Sequence, residues 1–222
     1  MIQNRKRREK DLRRQAILEA AKKVFFLKGY TKATMDEIAL AAEISKPTVY
    51  HYFKSKDDLF FSLMLPVLEQ IGMQLEKVRD NILENNYATG ALLIRDMFQA
   101  LWKSYSMAPD IFRIIQIFQQ SGMVREWNPQ IRSSLNNKGR HNFKLARQIT
   151  EIGIRKDLIK ETNPYEYVDV LWGLFVGIVQ LEDIKSREPQ GSRYLQKTLD
   201  LAEKILIDAM AKEKAREKIK PG

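Results

Sequence analysis

The stretch that decides the fold reads TMDEIALAAEISKPTVYHYF and occupies residues 34–53. Its spacing predicts two short helices joined by a tight turn. Thr34 and Glu37 fit a capping box. In this motif the Thr34 hydroxyl accepts a hydrogen bond from the Glu37 backbone amide, and the Glu37 carboxylate accepts one from the Thr34 backbone amide. Ser45 is placed to cap the second helix, and Pro47 suits its first turn. The stretch therefore predicts a helix-turn-helix.

The second of these helices, residues 46–52, presents an unusual number of hydrogen-bond donors. Its inward positions are Val49 and Phe53, which pack against the small apolar face of the first helix. A helix of barely two turns packs poorly by itself but presents donors well in a DNA major groove, which is about 12 Å wide. The alternative is an ordinary helical corner with half-buried rings. The outward residues are Lys46, Thr48, Tyr50, His51 and Tyr52.

The positive charge is concentrated at the two ends of the sequence. The formal net charge is +10. Residues 1–60 hold 14 Lys and Arg against 8 Asp and Glu, and residues 211–222 hold 5 against 2, so the rest is nearly neutral. A basic end on a neutral body indicates a bound polyanion, whereas basic termini that only aid solubility are the alternative.

Several classes of protein are disfavoured by what the sequence lacks. The absence of cysteine excludes disulfides, zinc ribbons and thiol catalysis, and His51 and His141 cannot form a transition-metal cluster. No nucleophile–base pair or glycine-rich phosphate loop stands out, so we expect no enzyme and no cofactor. The longest apolar run, residues 170–179, is about half a membrane helix, and the charged N-terminus is no secretory signal. We expect a cytoplasmic bacterial protein with no membrane partner.

Helical periodicity dominates the whole chain and predicts an all-α fold. We expect a three-helix DNA-binding head with a helix-turn-helix, and a body of roughly six helices for ligand binding and dimerisation. The predicted domains are residues 1–55, which include a basic N-terminal arm, and residues 56–222. The predicted helices are 10–28 (capped by Gly29), 34–42, 46–52, 55–81, 89–106, 109–121, 129–155, 164–186 and 192–214.

Four segments together resemble the DNA-binding head of the TetR family of repressors. They are ILEAA at 17–21, FFLKGY at 25–30, TMDEIA at 34–39 and ISKPTVYHYFKSKDDL at 44–59. The resemblance covers about the first sixty residues. It implies a dimeric regulator that binds an operator and is released from it by a ligand in the body.

The resemblance also implies roles for individual residues. Lys46 and Thr48 would meet phosphates and base edges, and His51 would help to select sequence. Lys56, at the start of the fourth helix, would bind phosphate beside the positive end of that helix. The predicted DNA-contacting residues are Lys46, Thr48, Tyr50, His51, Tyr52, Lys56, Thr34 and Ser45.

A basic arm precedes the head. It carries Arg5, Lys6, Arg7 and Arg8, followed by Lys10, Arg13 and Arg14. This arm either follows the minor groove or adds phosphate contacts. A disordered, solvating tail is the alternative.

The helix predicted at 164–186 is apolar on nearly every side and must be covered on every side. Gly173 and Gly177 permit a close helix crossing, and the last helix carries its own apolar stripe. We therefore expect a homodimer through the last two helices, with an intramolecular core as the alternative. Such a dimer would read an inverted repeat in double-stranded DNA.

The body is expected to hold a small-molecule effector. Lys138 and Asn142 interrupt the apolar stripe of the seventh helix, and buried polar groups need partners. Either a largely apolar ligand presents an anionic end to Lys138 or Arg147, or this segment faces solvent. A structural, nucleoid-type DNA-binding protein without a ligand is the alternative function. The predicted ligand-binding residues are Trp102, Tyr105, Phe118, Lys138, Asn142, Trp172 and Phe175.

Overall fold

The structure, a computed structural model, describes residues 2–120, 127–185 and 194–212. Within these residues the chain forms nine helices, as the all-α prediction requires. None of the described helices is long and apolar enough to cross a membrane. The helices are α1 (Ile2–Lys32), α2 (Met35–Ala41), α3 (Lys46–Tyr52), α4 (Lys56–Leu83), α5 (Gly90–Met107), α6 (Pro109–Gln120), α7 (Pro129–Arg155), α8 (Pro164–Lys185) and α9 (Leu195–Met210).

Helix α1 departs most from the prediction. It begins at Ile2, eight residues before the predicted start. The basic arm before residue 10 was left outside the predicted helix, but it is rich in good helix formers, and Arg5 pairs with Glu9 one turn later. Helical geometry breaks at Gly29, where φ is 73° and ψ is 164°, before one further turn to Lys32. Only glycine adopts this backbone conformation readily.

The internal contacts divide the chain into two compact units. The first unit consists of residues up to 69 together with residues 107–139, and the second consists of residues 70–106 together with those from 140 onward. The first unit contains α1, α2, α3 and α6. Its centre is aromatic: the ring centroid of Phe60 lies 5.1 Å from that of Phe25, 5.0 Å from that of Tyr30 and 5.6 Å from that of Trp127. The predicted domain boundary after residue 55 stays a prediction.

The second unit contains α5, α8 and α9, and α8 packs against α9. The chain after α9 pairs with the α7–α8 connection: the Lys160 amide donates to the Met210 carbonyl at 2.9 Å, and the Lys212 amide donates to the Leu158 carbonyl at 2.9 Å. An isolated antiparallel bridge joins Ile159 and Ala211 at the same place.

Candidate nucleic-acid interface and ligand site

Helix α3 is buried on one side and exposed on the other. Val49 is completely buried and the Phe53 side chain is 1% exposed. Lys46, Tyr50 and His51 are exposed, whereas Thr48 and Tyr52 are half-buried. The helix therefore presents a polar face over an apolar anchor, as its sequence predicts.

The helix start before α2 has the predicted capping box. The Glu37 amide donates to the Thr34 hydroxyl at 3.2 Å, and the Thr34 amide donates to the Glu37 carboxylate at 3.1 Å. The Glu37 carboxylate also accepts from Lys28 at 2.6 Å. This hydrogen bond, and next the one from the Thr34 amide, lowers the pKa of Glu37 below its usual range.

The start of α3 is different from the prediction. Ser45 occupies the N-cap position, but within the described residues its hydroxyl makes no cap hydrogen bond to the helix. Instead it lies 2.7 Å from the Thr48 hydroxyl. Both hydroxyls belong to the predicted DNA-contacting set, and they are held together on the α3 side of the turn.

Lys46 is already paired within the protein. Its ammonium lies 2.7 Å from the Asp36 carboxylate on α2. The hydrogen bond to Asp36 raises the pKa of Lys46, which therefore stays a cation. Both side chains are more than half exposed, so a phosphate can approach this pair from solvent.

Lys56 has a role that its sequence position does not suggest. Its ammonium donates to the carbonyls of Tyr30 at 2.9 Å, Thr31 at 3.3 Å and Ala33 at 3.1 Å. It also lies 4.5 Å from the centroid of the Tyr30 ring. All three of its donors are thereby used at the end of α1. Its predicted contact with phosphate stays a prediction.

Three further residues belong to this surface and were left out of the predicted set. Pro47 and Lys54 are exposed at the two ends of α3. The guanidinium carbon of Arg14 lies 5.2 Å from the centroid of the Phe53 ring. Pro47 stands inside the stretch 34–53 that predicted the site, and Lys54 directly follows it. No sequence pattern indicated that Arg14 lies beside α3.

The predicted ligand-binding residues are divided between the two units. Phe118 and Lys138 fall in the first unit, and the Phe118 side chain lies outside the described residues. Lys138 is half-exposed and pairs with Glu69 at 3.1 Å. Asn142 is buried, and its side-chain oxygen would stand 2.9 Å from a Cβ at Gly72.

The other predicted ligand residues form aromatic contacts in the second unit. The Tyr105 ring centroid lies 5.7 Å from that of Trp102 and 6.2 Å from that of Phe175. The Trp172 centroid lies 5.7 Å from that of Phe143. These contacts bring residues of α5, α7 and α8 together, and whether a ligand binds there stays a prediction.

Arg147 stands beside the second of these contacts. Its guanidinium carbon lies 4.2 Å from the Tyr165 ring centroid and 5.7 Å from that of Phe143. Its buried Nε has no hydrogen-bond partner among the described residues, and neither has the buried hydroxyl of Tyr167. Burial raises the pKa of Tyr167, whose hydroxyl therefore stays protonated and able to donate.

Comparison with known proteins agrees with this architecture. Residues 17–63 match the family described as bacterial regulatory proteins, tetR family. The helix-turn-helix transcriptional regulator YhgD of Bacillus subtilis is 24% identical over 167 residues, which are 75% of this chain and 82% of YhgD. The fatty acid metabolism regulator protein of the same organism is 28% identical over 147 residues, 65% of this chain and 70% of the relative.

The fold is also found among solved structures. The transcriptional regulator FadR of Bacillus subtilis, solved in complex with stearoyl-CoA, superposes with a TM-score of 0.62 at 21% identity. The superposition covers 84% of this chain and 96% of FadR. The match over residues 17–63 contains the whole helix-turn-helix, with its capping box and its exposed α3 face. The helix-turn-helix segment of this chain, residues 17–63, therefore matches the tetR family of bacterial regulatory proteins.

Proposed function

We propose that this regulator is a dimeric repressor that binds an inverted-repeat operator and leaves it when a largely apolar effector binds in the second unit. The observation that carries the proposal is the exposed face of α3, where Lys46, Tyr50 and His51 stand over a buried apolar anchor. A side chain that reaches base edges from the major groove must project from a helix held firmly on its other side.

The roles on this face follow from chemistry. Lys46, which pairs with Asp36, is suited to contact a phosphate. Every nucleotide carries this charged group, so the contact does not depend on base sequence. Tyr50 offers a hydroxyl and an aromatic ring, and His51 offers ring nitrogens that can meet base edges. Thr48 and Ser45 supply hydroxyl groups at the helix start, where backbone phosphate contacts are favoured.

A homodimer is supported by apolar side chains that the described chain leaves in solvent. On α8 they are Val170, Leu181 and Ile184, the last being 82% exposed, and on α9 they are Leu201 and Ile205. Gly173 and Gly177 lie on the same exposed side of α8, and a Cβ at either would meet no described atom within 4 Å. A second copy of the chain covers such a surface at close range.

The effector is proposed to be an acyl thioester of coenzyme A. Arg147 combines a buried, unmatched donor with neighbouring aromatic rings, which suits a ligand with an anionic end and an apolar body. Two comparisons with Bacillus subtilis proteins point the same way, one by the name fatty acid metabolism regulator and one by a bound stearoyl-CoA. Lys138 is a weaker candidate because Glu69 neutralises it at the surface.

The experiment that tests DNA recognition selects binders from a pool of random duplexes at about 0.15 M salt. We expect an inverted repeat whose half-sites lie about one helical turn apart. His51→Ala should change the recovered sequence, whereas Lys46→Gln should weaken binding to every sequence alike. Salt-sensitive binding with no enriched sequence would contradict the proposal and favour the nucleoid-type alternative.

The effector is tested by calorimetric titration with stearoyl-CoA, with stearate and free coenzyme A as comparison ligands. We expect Arg147→Gln to weaken stearoyl-CoA binding about tenfold or more, because a charge-assisted hydrogen bond is lost. Lys144→Gln removes one charge from an exposed position of the same helix and should change little. Equal weakening by both variants would contradict a site at Arg147.

A further inference from the structure

The first four turns of α1 stand apart from the rest of the described protein. Every residue from Asn4 to Ala16 is exposed, and the buried stripe of α1 begins only at Ile17. We call residues 4–16 the α1 extension. It contains seven Lys and Arg against two Asp and Glu. Apart from Arg14, which lies against the Phe53 ring, its exposed side chains leave its sequence free to serve a partner.

The charges of the α1 extension are sorted by face. The helix face that is buried at Ile17 continues toward the N-terminus through positions 14, 13, 10, 7 and 6, which lie three, four, seven, ten and eleven residues earlier. All five of these positions are Lys or Arg, and both acidic residues, Glu9 and Asp11, lie on other faces. We call these five residues the cationic stripe. Its members are Arg14, Arg13, Lys10, Arg7 and Lys6.

The cationic stripe starts beside the recognition helix. The guanidinium carbon of Arg14 lies 5.2 Å from the ring centroid of Phe53, the residue that caps the end of α3. The stripe therefore begins at the C-terminal end of the helix proposed to enter the major groove. From there it runs along α1 for about 12 Å, at 1.5 Å for each residue.

Because the α1 extension is helical, its width distinguishes between a minor-groove contact and a phosphate contact. With its side chains a helix is about 10–12 Å across. The minor groove of B-DNA is about 6 Å wide and cannot admit it. Phosphates on the outside of the duplex can be reached by a cationic face of this kind.

We propose that the cationic stripe binds the phosphate backbone of the duplex next to the site that α3 occupies. This inference rests on the proposed DNA-binding function and extends its footprint along the backbone. Like charges one turn apart, such as Lys6 and Lys10, repel each other in the free protein, and phosphates relieve that repulsion. The stripe adds affinity that does not depend on base sequence.

The test compares two double variants of the full chain that each remove two charges. K6Q/K10Q removes two members of the cationic stripe, whereas R5Q/R8Q removes two cations from the opposite face. A fluorescein-labelled, random-sequence duplex of about 30 bp is titrated by anisotropy between about 0.05 and 0.2 M salt. Since all four residues are exposed, both variants should melt like the wild type.

Each lost phosphate contact lowers the salt slope by about 0.9. Across this fourfold salt range, the wild type should lose about tenfold more affinity than K6Q/K10Q. R5Q/R8Q should keep the wild-type slope. Equal slopes for both variants, or tighter binding to an RNA duplex of the same sequence, would overturn the proposal. If the wild type itself fails to bind DNA, the proposed function fails instead.

Discussion

Three lysine side chains donate to the carbonyls at helix ends. Lys56 does so at the end of α1, Lys156 at the end of α4 and Lys160 at the end of α9. The carbonyls of a last turn have no partner within the helix and carry its negative dipole end, so an ammonium there is well placed. Part of the positive charge in this sequence therefore stabilises helices and is not freely available to a polyanion.

Replacing Lys56 should affect stability more than its charge suggests. Lys56→Met keeps the apolar stem but removes three hydrogen bonds to the end of α1, so the free energy of unfolding should fall by about 1.5–3 kcal/mol. Lys54→Met removes the same charge from an exposed position and should stay within about 0.5 kcal/mol of the wild type. Urea unfolding measures both. If Lys56→Met weakened DNA binding without loss of stability, Lys56 would be a phosphate ligand.

Single residues were predictable where their partners are close in sequence. The capping box joins Thr34 and Glu37, three positions apart, and both types belong to a known pattern. The partners of Lys56 lie 23 to 26 positions earlier, so its position beside a helix start suggested phosphate instead. Ser45 was predicted as a cap from its type and place, but a neighbouring hydroxyl competes for its side chain.

At the scale of elements, proline marks helix starts reliably in this chain. Helices α6, α7 and α8 begin at Pro109, Pro129 and Pro164, where the sequence predicted them. The missing amide of proline costs nothing in a first turn. The predicted start of α1 at residue 10 was wrong because helix propensity and local ion pairs carry the helix back through the basic arm.

Helix α5 starts at a point of close contact. A Cβ at Gly90 would overlap the carbonyl oxygen of Leu158 and stand 2.8 Å from its carbon. Gly90→Ala should therefore push the start of α5 away from the backbone at Leu158 and destabilise the protein by about 3 kcal/mol. At Gly139, inside α7, a Cβ meets no described atom within 4 Å, so Gly139→Ala should stabilise by up to about 1 kcal/mol. Thermal unfolding of both variants checks this, and equal effects would contradict the contact.

At the scale of the whole molecule, the sequence of one chain could not reveal what covers the apolar surface of α8. The sequence predicted that α8 must be buried on every side, and the structure leaves Val170 and Ile184 exposed. A pattern within one chain fixes which helix is apolar but not whether the cover is a second copy. The divided positions of Phe118, Lys138 and the body aromatics have a similar cause, since aromatic spacing alone cannot tell core from pocket.

Charging the exposed stripe of α8 tests the homodimer directly. Val170→Glu with Ile184→Glu should convert the proposed homodimer to a monomer, because like charges would face each other across its two-fold axis. Sedimentation equilibrium measures the mass of the double variant. Its affinity for DNA should fall to that of one head for one half-site. Leu83→Glu places a charge on an exposed apolar residue at the end of α4 and should leave the dimer intact. A monomeric wild type would contradict the prediction.

The pairing of Leu158, Ile159 and Lys160 with residues 210–212 has a consequence for protein synthesis. The helix-turn-helix lies within the first sixty or so residues and its compact unit is complete by residue 139, so it can fold while translation continues. The second unit cannot close until residue 212 has left the ribosome, because its α7–α8 connection waits for that segment. Every nascent chain therefore passes through a stage with a finished helix-turn-helix and an unfinished second unit.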